Sequence, residues 1–173
     1  MIEQKAAMIR LLLLDVDGVM TDGHIMMNDR GEEIKSFYAR DGQGLKMLMA
    51  GGIEVVLVTG RRSLALEHRA EDLGIKEVYQ GVSDKRTLCR QLVMEKGVKK
   101  EEICCIGDDL PDLSMFSEAG LCIAVADAVS EVRESADFST RRNGGAGAVR
   151  EVCELILKSQ GKWDDVVNAL AGK

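Results

Sequence analysis

Short apolar runs alternate along this chain with longer stretches that carry one apolar face. Such alternation predicts buried strands separated by helices, which is the pattern of a Rossmann-like, doubly wound parallel sheet in the α/β class. The strands are predicted at residues 9–15, 53–58, 76–80, 102–106 and 121–125, with a short extended segment at 137–140. The helices are predicted at residues 45–50, 63–73, 84–96, 110–119, 128–135, 148–160 and 162–170.

A β-hairpin is predicted at about residues 24–38, where two short runs surround an Asn28-Asp29-Arg30-Gly31 turn. A lone hairpin is marginally stable in water. Because this one carries apolar residues such as Ile25 and Met27, we expect it to pack on the body of the domain or on another subunit. The residues expected to face the core from the helix at 63–73 are Leu64, Leu66, Ala70 and Leu73.

Composition places the chain among ordinary globular domains, with 46% hydrophobic and 30% charged residues in a length of 173. That length predicts one domain over residues 1–173, with a C-terminal tail at about 161–173. The formal charge of −6 argues against a nucleic-acid partner. No apolar run approaches the roughly 18 residues of a membrane span, and no signal peptide is evident. The five cysteines lack CxxC spacing, so free buried thiols in a cytoplasmic protein are expected.

Polar residues follow the predicted strands at the point where each strand ends. They are Asp15 and Asp17 after the first strand, Thr59 after the second, Lys85 after the third, and Asp108 with Asp109 after the fourth. In an open parallel sheet these ends lie on one edge, where ligands bind. Aspartates at a strand end are also simply favourable in turns, and that reading predicts no site.

Together these groups have the chemistry of phosphoryl transfer. Carboxylates in a chain with only two histidines fit a hard cation, with Mg²⁺ as the first choice. A cation, a lysine and a threonine suit phosphate oxygens, and a carboxylate can itself attack phosphorus. The sequence therefore predicts Mg²⁺-dependent phosphoryl transfer through an aspartyl phosphate.

Four motifs resemble those of the haloacid dehalogenase superfamily of phosphohydrolases. They are DVDGVMT at residues 15–21, TGR at 59–61, Lys85, and GDDLPD at 107–112. The resemblance implies that Asp15 attacks phosphorus and that Asp17 acts as general acid and then general base. It implies that Thr59 and Lys85 bind phosphate oxygens as further catalytic residues. Mg²⁺ would be held by Asp15, the backbone carbonyl of Asp17, and Asp108, with Asp109 or Asp112 orienting these ligands or merely capping the next helix.

Further segments resemble a family without a large cap domain, the 3-deoxy-D-manno-octulosonate 8-phosphate (KDO 8-phosphate) phosphatases. They are ARDGQG at residues 39–44, YQG at 79–81 and GGAGAVREVCE at 144–154. Here too only the predicted hairpin flap lies between the first motif and the next helix. The resemblance implies hydrolysis of KDO 8-phosphate for lipopolysaccharide precursors by a homotetramer. The implied substrate-binding residues are Asp17, Tyr38, Ala39, Arg40, Asp41, Gly42, Lys46, Arg61, Arg69 and Lys85.

Two other functions stay open at this point. The first is a phosphatase for a nine-carbon keto-deoxy sugar acid phosphate, in which an acidic residue is expected after Thr-Gly, where this chain has Arg61. The second is a non-catalytic assembly domain, related to those fused to sialic acid cytidylyltransferases. Lys46 stands where the resemblance leads us to expect arginine.

Overall fold

A six-stranded parallel sheet lies at the centre of the molecule, which we describe from a computed structural model over residues 1–172. The strands of this sheet are β1 (Leu11–Leu14), β4 (Glu54–Val58), β5 (Glu77–Tyr79), β6 (Ile103–Gly107), β7 (Leu121–Ala124) and β8 (Phe138–Ser139). The strand order is β5-β4-β1-β6-β7-β8, with every neighbouring pair parallel. A separate antiparallel hairpin consists of β2 (Met26–Met27) and β3 (Glu33–Ile34). The predicted sheet is confirmed.

Strand β1 is central because both of its edges are paired. Its four leucines are fully buried, and Leu14 lies beside Leu57 of β4 and Ile106 of β6. This register brings the carboxyl ends of three strands to one level. Residues that follow these strands, such as Asp15, therefore begin at the same edge of the sheet.

Helices cover the sheet, and most of them lie where the apolar pattern predicts. They are α1 (Ile2–Ala7), α2 (Ala39–Ala50), α3 (Leu64–Leu73), α4 (Lys85–Lys96), α5 (Leu113–Phe116), α6 (Ser130–Ser135), α7 (Ala148–Ser159) and α8 (Trp163–Leu170). None of the helices in the described part of the chain is both long and apolar enough to cross a membrane. All five cysteines are buried and free, as expected.

Helix α2 begins six residues earlier than the predicted residue 45. The prediction was wrong because two residues of low helix propensity, Gly42 and Gly44, lie inside the helix. A Cβ atom at Gly44 would lie 3.2 Å from Cα of Arg150, so glycine here permits the close packing of α2 on α7. Packing of one helix on another thus outweighs the low helix propensity of glycine.

Two further details differ from the prediction. Leu64 is 71% exposed, because it is two positions away from the i, i+4, i+7 stripe that Leu66, Ala70 and Leu73 bury. The helix predicted at residues 110–119 is shorter, with a 3₁₀ turn (Leu110–Asp112) followed by α5. The side chain of Asp112 folds back onto the start of this segment, and Gly120 N–H already bonds to Ile103 of β6.

Helix α1 was not predicted, since six residues give little periodicity. It buries Ala6 against the core, and Lys5 forms an ion pair with Asp137 at 2.6 Å. At the other end of the chain, α8 lies in the predicted tail, whose final residue, Lys173, is outside the described residues.

Candidate active site

Three carboxylates and one ammonium group meet where β1 and β6 end. Carboxylate oxygens of Asp15, Asp108 and Asp112 lie within 4.8 Å of one another. Nζ of Lys85, at the start of α4, is 2.6 Å from Asp15 Oδ1 and 2.7 Å from Asp112 Oδ1. Asp15, Lys85 and Asp112 are each less than a tenth exposed. The structure thus brings together residues from three of the predicted strand ends.

This cluster carries an excess of negative charge. Burial, together with the charge of Asp112, raises the pKa of Asp15 to about 7, although Lys85 opposes the shift. Burial and the charges of Asp15 and Asp112 raise the pKa of Asp108 to about 8. Burial alone would lower the pKa of Lys85, but its two ion pairs raise it. One ammonium group is therefore shared among too many carboxylates, and an additional cation would be stabilising.

The oxygen atoms at this edge of the sheet fit such a cation. Within residues 1–172, Asp108 Oδ1 is buried and has no hydrogen-bond partner. A buried carboxylate oxygen without a partner is unfavourable unless an ion or water satisfies it. Since the cluster offers only carboxylates, with neither imidazole nor thiolate, its donors suit Mg²⁺.

Asp109 and Asp112 have different surroundings, which bears on the two roles left open for them. Asp112 Oδ2 accepts the backbone N–H of Asp108 at 2.9 Å, and Asp112 Oδ1 holds Lys85. Asp109 is exposed, and its carboxylate accepts the N–H of Leu110 at 2.8 Å. Asp112 therefore orients Asp108 and Lys85 through these contacts, while Asp109 caps the following turn.

Asp17 lies beside the cluster, with partners on both of its carboxylate oxygens. Oδ1 forms an ion pair with Nζ of Lys35, whose side chain is only 2% exposed. Oδ2 lies 3.5 Å from the hydroxyl of Thr59, which can donate to it. The Thr59 hydroxyl also accepts the N–H of Arg61 at 3.1 Å, so the turn after β4 positions Thr59.

Glu33 extends this arrangement towards the surface. Its Oε1 accepts Lys35 Nζ at 3.1 Å and the Arg61 guanidinium at 3.2 Å. Burial opposes ionisation, but Lys35 and Arg61 together hold the pKa of Glu33 below its ordinary value of 4.5. Sequence reasoning missed Glu33 and Lys35. The two-residue period of a strand places both on one face of the hairpin's second arm, and this spacing was the available signal.

A cleft of about 730 Å³ opens onto the cluster. The predicted site residues among those that line it are Asp15, Asp17, Thr59, Arg61, Lys85 and Asp108. These six residues follow four different strands of the sheet, and the fold brings them together.

The other predicted substrate-binding residues do not line this cleft. Tyr38 and Arg40 line a second cleft of about 900 Å³ beside α7. Ala39 and Lys46 are exposed on α2. Arg69 Nη1 lies 2.7 Å from Asp72, and its guanidinium lies 5.8 Å from the centre of the Phe37 ring. A Cβ atom at Gly42 would lie 2.2 Å from Arg69 Nη2, so Gly42 packs against that arginine.

Asp41, another predicted substrate-binding residue, is 1% exposed and performs a structural task in this chain. Its carboxylate accepts the N–H of Arg150 at 2.8 Å and that of Gly147 at 3.3 Å, at the N-terminus of α7. Burial raises the pKa of Asp41, although these hydrogen bonds oppose the shift. Asp41 thus joins α2 to α7 and to the glycine loop before α7.

The glycine loop at residues 144–147 packs against the loop that follows Asp15. Gly145 N–H donates to the carbonyl of Val19 at 2.9 Å, and a Cβ atom at Gly145 would lie 2.4 Å from Asp22 N. The GGAG sequence therefore allows a close approach that a larger residue would prevent, and its contacts support the loop that follows Asp15.

Comparison with known proteins finds related phosphohydrolases. A profile of haloacid dehalogenase-like hydrolases matches residues 73–152. The 3-deoxy-D-manno-octulosonate 8-phosphate phosphatase of Yersinia pestis is 49% identical over 161 residues, which cover 93% of this chain and 86% of that protein. The corresponding enzyme of Escherichia coli K12 is 46% identical over the same shares of the two chains.

A solved structure agrees over nearly the whole chain. The 3-deoxy-D-manno-octulosonate 8-phosphate phosphatase of Moraxella catarrhalis, in complex with a magnesium ion, a phosphate ion and a KDO molecule, has a TM-score of 0.94. It is 44% identical, and the match covers 98% of this chain and 97% of that one. Given this agreement in sequence and fold, the chain belongs to the 3-deoxy-D-manno-octulosonate 8-phosphate phosphatase family of the haloacid dehalogenase superfamily.

Proposed function

We propose that this chain is a Mg²⁺-dependent phosphatase that hydrolyses KDO 8-phosphate to KDO and phosphate through an aspartyl phosphate. The observation that carries the proposal is the buried contact of Asp15 with Lys85 at the centre of an acidic cluster. A carboxylate oriented by an ammonium group at a cleft is suited to attack phosphorus. The family's substrate then defines the leaving group as a sugar alkoxide.

In the first half-reaction, a carboxylate oxygen of Asp15 forms a bond to phosphorus while the bond from phosphorus to the sugar oxygen breaks. Asp17 gives its proton to the departing alkoxide, which leaves as the alcohol. Lys85 and Thr59 are assigned to the phosphoryl oxygens. Lys85 is already held at 2.6 Å from Asp15, so its charge lies where negative charge develops.

In the second half-reaction, Asp17 takes a proton from water as that water attacks the phosphorus of the aspartyl phosphate. The acyl phosphate bond breaks, and Asp15 is released as a carboxylate. Asp17 thereby regains the proton that it lost, and the catalytic cycle closes.

The metal is assigned to Asp15, Asp108 and the backbone carbonyl of Asp17, with Asp112 orienting Asp108. When bound, Mg²⁺ supplies positive charge that favours phosphate binding and the ionised form of Asp15. The buried, unpartnered Oδ1 of Asp108 supports this assignment.

Substrate selection is assigned to Arg61 within the cleft and to residues of an adjoining subunit. Tyr38, Arg40, Lys46 and Arg69 do not line the cleft of their own chain, so we assign them to the site of a neighbour in a homotetramer. Exposed apolar residues on the hairpin support such an assembly: Ile25, Met26, Met27 and Ile34 are each more than two-fifths exposed. The five free buried thiols support a cytoplasmic location.

Steady-state phosphate release with Mg²⁺ tests the substrate. We expect a clear preference for KDO 8-phosphate over the nine-carbon keto-deoxy sugar acid phosphate, because Arg61 follows Thr59-Gly60 where the nine-carbon enzymes are expected to carry an acid. A preference for the nine-carbon substrate would overturn the assignment. If neither substrate nor p-nitrophenyl phosphate releases phosphate, the chain is an assembly domain.

A further inference from the structure

Lys35 is a buried lysine that no motif of the chain assigns. It follows β3 on the second arm of the hairpin, and its side chain is 2% exposed. Its ammonium group forms ion pairs with Asp17 and, at 3.1 Å, with Glu33. Burying an ammonium group is unfavourable unless carboxylates compensate it, so these two contacts fix where Lys35 Nζ lies.

The contact with Asp17 fixes the carboxylate that must exchange a proton with the substrate. Lys35 holds Oδ1, and the Thr59 hydroxyl lies 3.5 Å from Oδ2. A carboxylate with a partner on each oxygen has a defined orientation. A misplacement of about 1 Å is enough to slow catalysis by two orders of magnitude.

The contact with Glu33 links this lysine to a substrate-binding candidate. Glu33 Oε1 accepts hydrogen bonds from both Lys35 Nζ and the Arg61 guanidinium, and its distance from Arg61 Nη2 is 3.2 Å. Charges of opposite sign thus alternate from Arg61 through Glu33 and Lys35 to Asp17. With Asp17 ionised the row is formally neutral, and two of its members, Glu33 and Lys35, belong to the hairpin.

We infer that Lys35 is a positioning residue for the general acid Asp17, and that Glu33 holds Lys35 in place. The inference rests on the proposed function. Lys35 gives and takes no proton: the proton passes from Asp17 to the sugar oxygen while the oxygen–phosphorus bond breaks. The hairpin therefore contributes to proton transfer in its own subunit.

The leaving group distinguishes this role from one in folding. A sugar alkoxide needs a proton as it departs, whereas p-nitrophenolate departs without one. For Lys35→Met, we expect formation of the phosphoenzyme from KDO 8-phosphate to slow by about 100-fold, with KM nearly unchanged. Formation from p-nitrophenyl phosphate should change by less than about 3-fold, because that step does not need the acid.

The experiment is a rapid-quench measurement of phosphoenzyme formation with both substrates and Mg²⁺. Lys35→Arg should recover most of the lost rate, and Glu33→Gln should show a smaller loss of the same kind. Lys76→Met, at an exposed position before β5, is the matched control and should behave as wild type. If Lys35→Met does not fold, Glu33→Gln still decides the question through the same ratio of rates.

Equal slowing with both substrates, or no slowing with either, would overturn the inference. The two proposals also fail separately. A wild-type enzyme that does not hydrolyse KDO 8-phosphate contradicts the proposed function, whereas an active wild type with an equally active Lys35→Met contradicts only the role of Lys35.

Discussion

At the scale of single residues, the charge around Asp15 is not balanced in the absence of a cation. Lys85 forms ion pairs with Asp15 and Asp112, while Asp108 Oδ1 beside them has no partner among residues 1–172. Each aspartate is held by the fold even though its neighbours repel it. Such strain is typical of sites organised for a ligand that neutralises them.

This imbalance predicts how stability depends on pH. The pKa values of Asp15 and Asp108, about 7 and about 8 when folded, lie above the ordinary 3.8 expected in the unfolded chain. The folded protein therefore retains protons that the unfolded chain has lost. The free energy of unfolding that these two protonated groups contribute is fully present below pH 3.8 and is lost as the pH rises through about 7 and 8.

We accordingly expect the melting temperature of the metal-free protein to fall as the pH rises from about 5 to about 8 and to level off above that, and saturating Mg²⁺ to flatten that fall. Differential scanning calorimetry with chelator or with Mg²⁺ makes the measurement. Asp108→Asn, which removes one of the two titrating groups, should show a weaker dependence. A metal-free melting temperature that rises over this range would contradict the raised pKa values of Asp15 and Asp108.

The strand pattern was sufficient to predict which residues meet at the edge of the sheet. Asp15, Thr59 and Asp108 follow buried apolar runs, so their common edge followed from topology. Lys35 was missed because its partner Asp17 is 18 positions away and the intervening hairpin has no strong apolar pattern. Contacts that depend on how a short hairpin folds over a site are tertiary, and local periodicity does not record them.

At the scale of elements, α2, α7 and the glycine loop together support the loop that follows Asp15. Asp41 of α2 caps α7, and the loop before α7 bonds to the backbone that follows Asp15. The prediction that α2 begins at residue 45 was wrong for a related reason. Its glycines serve helix packing, and a sequence pattern does not distinguish that use from a turn.

The glycine loop gives a prediction with a matched control. Gly145 has φ +64°, and a Cβ atom there would collide with the backbone of Thr21 and Asp22. Gly161 has φ +67°, and nothing lies within 4 Å of its Cβ position. Replacement by alanine should cost about 1 kcal/mol of backbone strain at either position, but only Gly145→Ala should also displace the nucleophile loop.

We therefore expect Gly145→Ala to lose at least about 10-fold in kcat, while Gly161→Ala keeps its activity although backbone strain lowers its stability by a similar amount. Urea unfolding and steady-state phosphate release measure the two effects. Equal activity of the two variants would show that the loop does not support the site.

At the scale of the whole molecule, a six-stranded parallel sheet lies beside a short, separate hairpin. Between β1 and α2 the structure holds only β2 and β3, and the methionines of β2 are exposed. The order of the sheet was predictable because strands and helices alternate. The partner of the hairpin was not, because an apolar edge does not identify what covers it.

The proposed homotetramer predicts that charges on the hairpin dissociate the assembly. Met27 and Ile34 are 59% and 55% exposed in the single chain, so Met27→Asp with Ile34→Asp should yield a smaller species that retains its fold. Met94, 82% exposed on α4, is the control, and Met94→Asp should leave the assembly intact. Sedimentation velocity at micromolar concentration distinguishes these outcomes, and a monomeric wild type would contradict the assembly.

In the proposed mechanism, Asp15 receives the phosphoryl group of KDO 8-phosphate. The most direct test is acid quenching of a single turnover with ³²P-labelled KDO 8-phosphate and Mg²⁺, followed by peptide mapping. We predict a transient, hydroxylamine-sensitive label on the peptide that contains Asp15, and no label in Asp15→Asn, because an amide cannot form the acyl phosphate. Release of phosphate without a labelled enzyme, or substantial turnover by Asp15→Asn, would contradict the covalent mechanism.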